Sequence, residues 1–161
     1  RPPNRRIVSA NRVYFTRLHI PRLPSQESVV TQEITDGKWD FGVLQDQSQT
    51  TAVFPDKFKN AAIGLDKLSD ASGAKTVFYQ TWGRRDGDKR NIKRFPDYQS
   101  MQDALSKNYT SVAKECDAIL APVGDTWAIV RKVDHKLGKA LYVGDGSHPS
   151  ERGGYITWSV V

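Results

Sequence analysis

Three short apolar runs, each followed by a helix-length amphipathic stretch, constrain this chain more than any other feature. Trp39-Asp40-Phe41-Gly42-Val43-Leu44-Gln45 reads as a buried strand ending in the polar run Asp46-Gln47-Ser48-Gln49. Phe54, Phe58, Ala61, Ala62, Leu65 and Leu68 then recur at three- and four-residue steps, with Pro55 near the first turn and Ser72-Gly73 as the stop. Lys75 to Trp82 is a second strand, rich in β-branched and aromatic residues. Residues 83–94 form a charged loop with Gly83 and Gly87 as hinges. Tyr98, Met101, Leu105, Tyr109, Val112 and Cys116 make one stripe of a second helix, spaced as a core face. Ala118 to Gly124 is a third strand, and Asp125 or Thr126 can cap a third helix carrying Trp127, Val130, Val133 and Leu137 up to Gly138. This alternation predicts an α/β domain: a parallel sheet covered by helices on both faces.

The remainder of the chain is less patterned. Arg6-Ile7-Val8 can start a short strand and Val13-Tyr14-Phe15 is apolar, but no long periodic element precedes residue 27. The segment from Ser28 to Ile34 is ambiguous and closes at the turn Asp36-Gly37. The net charge of +6 is unevenly placed: residues 1–24 hold six arginines and no acid, whereas the other 18 basic residues are matched by all 18 acids. We therefore divide the chain into a basic N-terminal arm, 1–24, and a neutral α/β domain, 25–161. Such an arm suits RNA or another acidic partner, a processed transit segment, or plain solvated chain. Secretion and an organellar location both fit. No apolar run approaches the ~20 residues of a membrane span. Asn108-Tyr109-Thr110 matches a glycosylation acceptor, a tripeptide common by chance.

In a parallel α/β sheet, chemistry collects at the C-terminal ends of the strands. Those ends carry Gln45 to Ser48, Thr81-Trp82-Gly83 and Val123-Gly124-Asp125, and Asp145-Gly146-Ser147-His148-Pro149-Ser150 is expected at the same edge. An Asp three residues before a His can orient the imidazole, which then serves as a base toward a Ser hydroxyl. The plain alternative is a turn at Asp145-Gly146 with His148 as a surface residue. Pro149 can open a helix at its first turn. His19, His135 and His148 show no ligand spacing with Cys116, so we expect no metal. No Gly-rich phosphate loop follows a strand, and Gly153-Gly154 is too sparse and too late, so we expect no nucleotide cofactor.

Four motifs in order resemble the SGNH (GDSL-like) hydrolase superfamily over roughly residues 35–158. They are Gly37-Lys38-Trp39-Asp40-Phe41-Gly42-Val43-Leu44-Gln45-Asp46-Gln47-Ser48, Thr81-Trp82-Gly83, Ala121-Pro122-Val123-Gly124 with Trp127, and Asp145 to Ser150 with Gly154-Tyr155. The resemblance implies a three-layer, flavodoxin-like fold and hydrolysis of an acyl or acetyl ester of a carbohydrate or lipid. It makes His148 the general base and Asp145 its orienter, with Gln45, Gln47, Ser48 and Trp82 lining the site. Gln45 reads equally as an oxyanion donor or as a polar cap on its strand.

One departure qualifies this. The superfamily's nucleophilic Ser lies in a Gly-(Asp/Asn)-Ser block after the first strand, and no such tripeptide occurs in this chain. The nearest counterpart, Ala10-Asn11-Arg12, puts Arg12 at the nucleophile's place, and a guanidinium cannot attack an ester. Ser9 and Ser48 are weak substitutes, outside any recognisable nucleophile turn. The fold is thus expected to be incomplete at its N-terminus, and the chain reads as a short protein or as a fragment. The alternative function is a catalytically inactive SGNH-like subunit of a larger assembly, anchored through its Arg-rich arm.

Overall fold

A computed structural model describes residues 31–160 and the backbone of residues 13–17. Four parallel strands stand in the order β1-β2-β3-β4: β1 (Val13–Arg17), β2 (Phe41–Gln45), β3 (Lys75–Tyr79) and β4 (Ile119–Ala121). Helical residues 31–36 (α1) precede β2. Between β2 and β3 lie α2 (Ser48–Val53) and α3 (Pro55–Ser72), and α4 (Tyr98–Glu115) joins β3 to β4. After β4 come α5 (Val123–Val133), α6 (His135–Ala140) and α7 (Glu151–Trp158).

The layers follow from strand alternation. Neighbouring side chains on a strand point to opposite faces, so Leu44 and Phe78 enter one core while Val43, Val77 and Tyr79 enter the other. A run of like-handed crossovers that advances one strand at a time keeps its helices on a single face, and α3 and α4 do share one. Their core contains Phe58, Ala62, Met101, Leu105 and Tyr109 around Leu44 and Phe78. The second face is covered after β4, where Val123 and Trp127 of α5 pack with Leu141 and Tyr142. The fold is therefore a three-layer α/β sandwich with a parallel sheet.

Several expectations from the sequence shift. Val13–Arg17, inside the stretch read as a basic arm, is a strand paired in register with all of β2. Its apolar run, Val13-Tyr14-Phe15, is only three residues long; parallel pairing with β2 supplies the stabilisation. The polar run after Gln45 leads into a separate short helix, α2, not only a strand end. Phe54 is no stripe residue but the N-cap of α3, half exposed with the Lys57 ammonium 5.2 Å from its ring. The third helix breaks at Asp134, whose carboxylate accepts from the Leu137 amide at 2.8 Å and starts α6. Gly138 does not end a helix; it lies buried within α6, where any Cβ would meet the Arg131 backbone at 2.6 Å. Pro149 does not open α7: Ser150 caps it, accepting from Gly153 N at 3.2 Å and donating to Ala140 O at 2.6 Å.

Asn108 is a structural residue rather than an available acceptor. It lies within α4, and its amide donates to Thr51 O at 2.9 Å, tying α4 to α2. The adjacent Tyr109 is fully buried, and burial pushes its phenol up to about 12.

The glycine pair of α7 separates two physical effects. A Cβ on Gly153 would sit 2.2 Å from Leu141 O and 2.9 Å from the Trp127 ring, whereas one on Gly154 meets nothing within 4 Å. Gly153→Ala is expected to destabilise by about 1–3 kcal/mol through overpacking. Gly154→Ala is expected to stabilise by roughly 1 kcal/mol through helix propensity. Denaturant titration of the two variants measures both, and equal shifts of one sign contradict the packing described here.

Candidate active site

The strand-end turn after β3 is the platform of the site, and a buried amide network fixes it. Gln102 of α4 is buried, and its Oε1 accepts from Gly83 N at 2.9 Å. Its Nε2 donates to Asp125 Oδ1 at 3.3 Å, and Asp125 N donates to Gln80 Oε1 at 2.9 Å. Ser106 also donates to the Asp125 carboxylate. Gly124 is held so close to Thr81 that a Cβ there would lie 2.3 Å from Thr81 O. The ends of β3 and β4 are thus tied together by largely buried hydrogen bonds.

From this platform Trp82 reaches the loop of residues 145–148. Its indole N–H donates to Ser147 O at 2.9 Å, while its ring stacks on Trp127 with centroids 4.1 Å apart and planes 10° from parallel. Arg85 N donates to Gly146 O at 2.8 Å, and Gly146 N donates to Val143 O at 3.1 Å. Gly146 sits at φ +67°, a left-handed conformation that favours glycine. Beyond the loop, Val143 N donates to His148 O at 3.0 Å, and Tyr142 bridges to Pro149.

On this loop Asp145 and His148 form a pair. Asp145 Oδ2 lies 2.5 Å from His148 Nδ1, and Oδ1 accepts from Ser147 N at 2.8 Å and His148 N at 3.0 Å. These bonds, the imidazole's first, hold the Asp145 carboxyl far below the usual carboxylate range. With Nδ1 facing the carboxylate, Nε2 is the nitrogen directed away from it. The His148 side chain is 79% exposed and that of Asp145 47%. Among the described residues the imidazole has Asp145 as its hydrogen-bond partner and no serine hydroxyl.

The other expected site residues separate into three groups. Trp82 is joined directly to the loop, but as its support. Gln45, Gln47 and Ser48 are at the end of β2, and among the described residues no hydrogen bond joins them to residues 145–148. The buried Asp46 between them turns inward, its amide donating to Tyr109 Oη at 3.1 Å and its Oδ1 accepting from Gln47 N at 2.6 Å. Ser9 and Arg12 lie outside the described residues, as do Arg6 to Val8. Cys116 offers no substitute nucleophile, because burial, with Asp66 beside it, pushes its thiol up to about 12. Among the described residues no cluster of metal-ligating side chains occurs, and no helix is long and apolar enough to cross a membrane.

Arg85, Gln102 and Arg131 support the site without having been picked out by sequence. Arg131 Nη2 donates to Arg85 O at 3.1 Å, behind the bond from Arg85 to Gly146. Only the adjacent charges of residues 84–86 hinted at this segment, and charge runs are commonly solvated.

Solved structures share this fold. A candidate SGNH hydrolase from Slackia heliotrinireducens superposes with a TM-score of 0.72 at 26% identity, over 88% of this chain and 73% of that one. The chain has the SGNH-like fold. A GDSL-like lipase from Parabacteroides merdae shares the fold at a TM-score of 0.58 and 15% identity, over 84% of this chain and 65% of that one. A variant of an acetyl-xylooligosaccharide esterase from Geobacillus gives 0.59 and 14%, over 83% and 64%. The chain thus spans about two thirds to three quarters of these three proteins. No protein-family profile matches the chain, and neither does any curated protein sequence.

Two outcomes test the geometry. Trp82→Phe keeps the ring stack but leaves Ser147 O without its donor, and is expected to cost about 1–3 kcal/mol in stability. A substitution without effect on thermal unfolding removes Trp82 as the loop's support. The carboxyl of Asp145 is depressed in the fold, so its contribution is present above the ordinary carboxylate pKa of ~4 and is lost as pH falls below that. Melting temperatures of the wild type and Asp145→Asn are therefore expected to differ most near neutral pH and to converge toward pH 2. A gap that widens on acidification contradicts the sign.

Proposed function

We propose that this chain is the α/β body of an SGNH-type ester hydrolase acting on an acyl or acetyl ester of a carbohydrate or lipid. The observation that carries the reading is the Asp145–His148 pair on a braced loop at the strand-end edge. Asp145 accepts from Nδ1–H, fixing the tautomer, and Nε2 takes the proton from the attacking hydroxyl and returns it to the leaving oxygen. The negative carboxylate also favours the imidazolium formed at the transition state. Two of the similar structures, a GDSL-like lipase and an acetyl-xylooligosaccharide esterase, agree with this ester chemistry.

The nucleophile belongs to a part of the chain outside the described residues, or to Ser48 at the start of α2. Arg12 cannot fill that role. A serine-directed fluorophosphonate distinguishes these cases. Wild-type protein is expected to be labelled at one serine, with at least ~100-fold slower labelling in His148→Ala, the size of a lost general base. Peptide mapping then names the serine. Absence of label at every serine, together with unchanged folding, rejects hydrolysis by this chain and leaves an SGNH-like fold that binds without turnover.

A further inference from the structure

Beside residues 145–148 lies an open cleft with a volume of about 910 Å³, lined by Arg85, Tyr98, Ile129, Arg131, Lys132 and His135 among others. Arg85 joins it to the loop, its side chain within 3.4–3.6 Å of where a Cβ on Gly146 would stand. Two acids also line the cleft, and both are engaged: Asp86 sits 3.3 Å from Arg85 Nε, and Asp97 caps α4 through Ser100 N at 2.8 Å. Arg131 is half-buried, with its guanidinium 3.9 Å over the Tyr98 ring and donors on the carbonyls of Gly138 and Arg85. Those contacts take one hydrogen on each terminal nitrogen, leave three N–H donors, and do not neutralise its charge. Among the described residues no carboxylate pairs with Arg131 or Lys132.

The chain between two cleft-lining residues, Asp86 and Pro96, is a basic loop. Residues 83–94 contain six basic side chains and two acids. One of those acids, Asp88, is fully buried and turned inward, accepting from Arg90 N at 3.0 Å and Asn91 Nδ2 at 3.3 Å, with Arg84 at 3.4 Å. The loop closes at its neck, where Asp88 N donates to Phe95 O at 3.0 Å. Lys89, Arg90, Lys93 and Arg94 are thereby displayed on the outside of an ordered turn. Arg94 leans toward α2, donating to Val53 O at 3.2 Å.

We propose that the cleft and this loop form a subsite for an anionic carbohydrate, with Arg131 receiving one carboxylate and Lys132, Lys89 and Lys93 the charges that follow. A guanidinium with its stem fixed by stacking suits a planar carboxylate, and separated surface lysines suit a repeating acid. The cleft's phenol ring is already covered by Arg131, which leaves no platform for a stacked nucleobase. Anion binding stands on these charges alone. Only the assignment of the carbohydrate as substrate rests on the hydrolase reading.

Calorimetric titration of the full chain with trigalacturonate, against neutral xylotriose, tests the subsite. Wild type is expected to bind trigalacturonate and not xylotriose, with affinity falling as salt rises. The exposed triple variant Lys89→Gln/Lys93→Gln/Lys132→Gln is expected to bind at least tenfold more weakly with unchanged melting. Arg131→Lys, which keeps charge and loses the fork, is expected to bind at least fivefold more weakly. His148→Ala is expected to bind as wild type. Equal binding by wild type and the triple variant overturns the proposal, since the contact then lies elsewhere, as on residues 1–24. A short RNA that binds more tightly than trigalacturonate and is lost in the same variants overturns the carbohydrate assignment. Turnover of acetylated xylotriose without trigalacturonate binding refutes the subsite alone. Trigalacturonate binding without fluorophosphonate labelling supports the subsite and counts against the hydrolase reading alone.

Discussion

The stacked indoles of Trp82 and Trp127 connect the core of this protein to its candidate site. Trp127 is fully buried on the second face of the sheet, and the half-buried Trp82 lies flat against it. Its indole N–H holds Ser147 O. A ring pinned on one face by another aromatic has little freedom, so its donor is aimed before any ligand arrives. Gly124 and Gly153 allow this arrangement by letting backbone and indole approach where a side chain would collide. Core packing and loop placement are consequently one structure.

Placing the Asp145–His148 pair on the surface also has physical consequences. A buried aspartate would carry a desolvation cost that neighbouring donors must offset. Here two backbone N–H groups and the imidazole stabilise an exposed carboxylate instead. The left-handed Gly146 makes those two amides converge on one oxygen. The orientation of the ring is set locally, by four consecutive residues, while the position of those residues in the fold is set by Trp82, Arg85 and Tyr142.

Much of the scaffold is written in hydrophobic period. The stripe Tyr98, Met101, Leu105, Tyr109 and Val112 is buried as its spacing requires, and the apolar runs of β2 and β3 alternate between the two cores. Elements shorter than about two turns were illegible for the same reason that long ones were clear: five or six residues do not define a period. That accounts for α2 and α6, while the strand Val13–Arg17 offered only three consecutive apolar residues. Asp134 and Ser150, whose side chains start α6 and α7, were visible as polar residues but not distinguishable from other loop polars until their acceptors and donors were placed.

By itself, the sequence determined the α/β layering, the helix faces and the close pairing of Asp145 with His148, because each depends on residues a few positions apart. Tertiary structure alone decided which groups brace that pair, since Trp82 and Ser147 are 65 residues apart and Arg131 and Arg85 are 46. It likewise decided that, among the described residues, no hydrogen bond joins Gln45 or Ser48 to the loop, that Cys116 is a half-buried thiol, and that Asp88 turns inward while its basic neighbours face out. Periodicity specifies which face of an element is apolar. It carries no information on which polar groups of distant elements meet once those faces are buried.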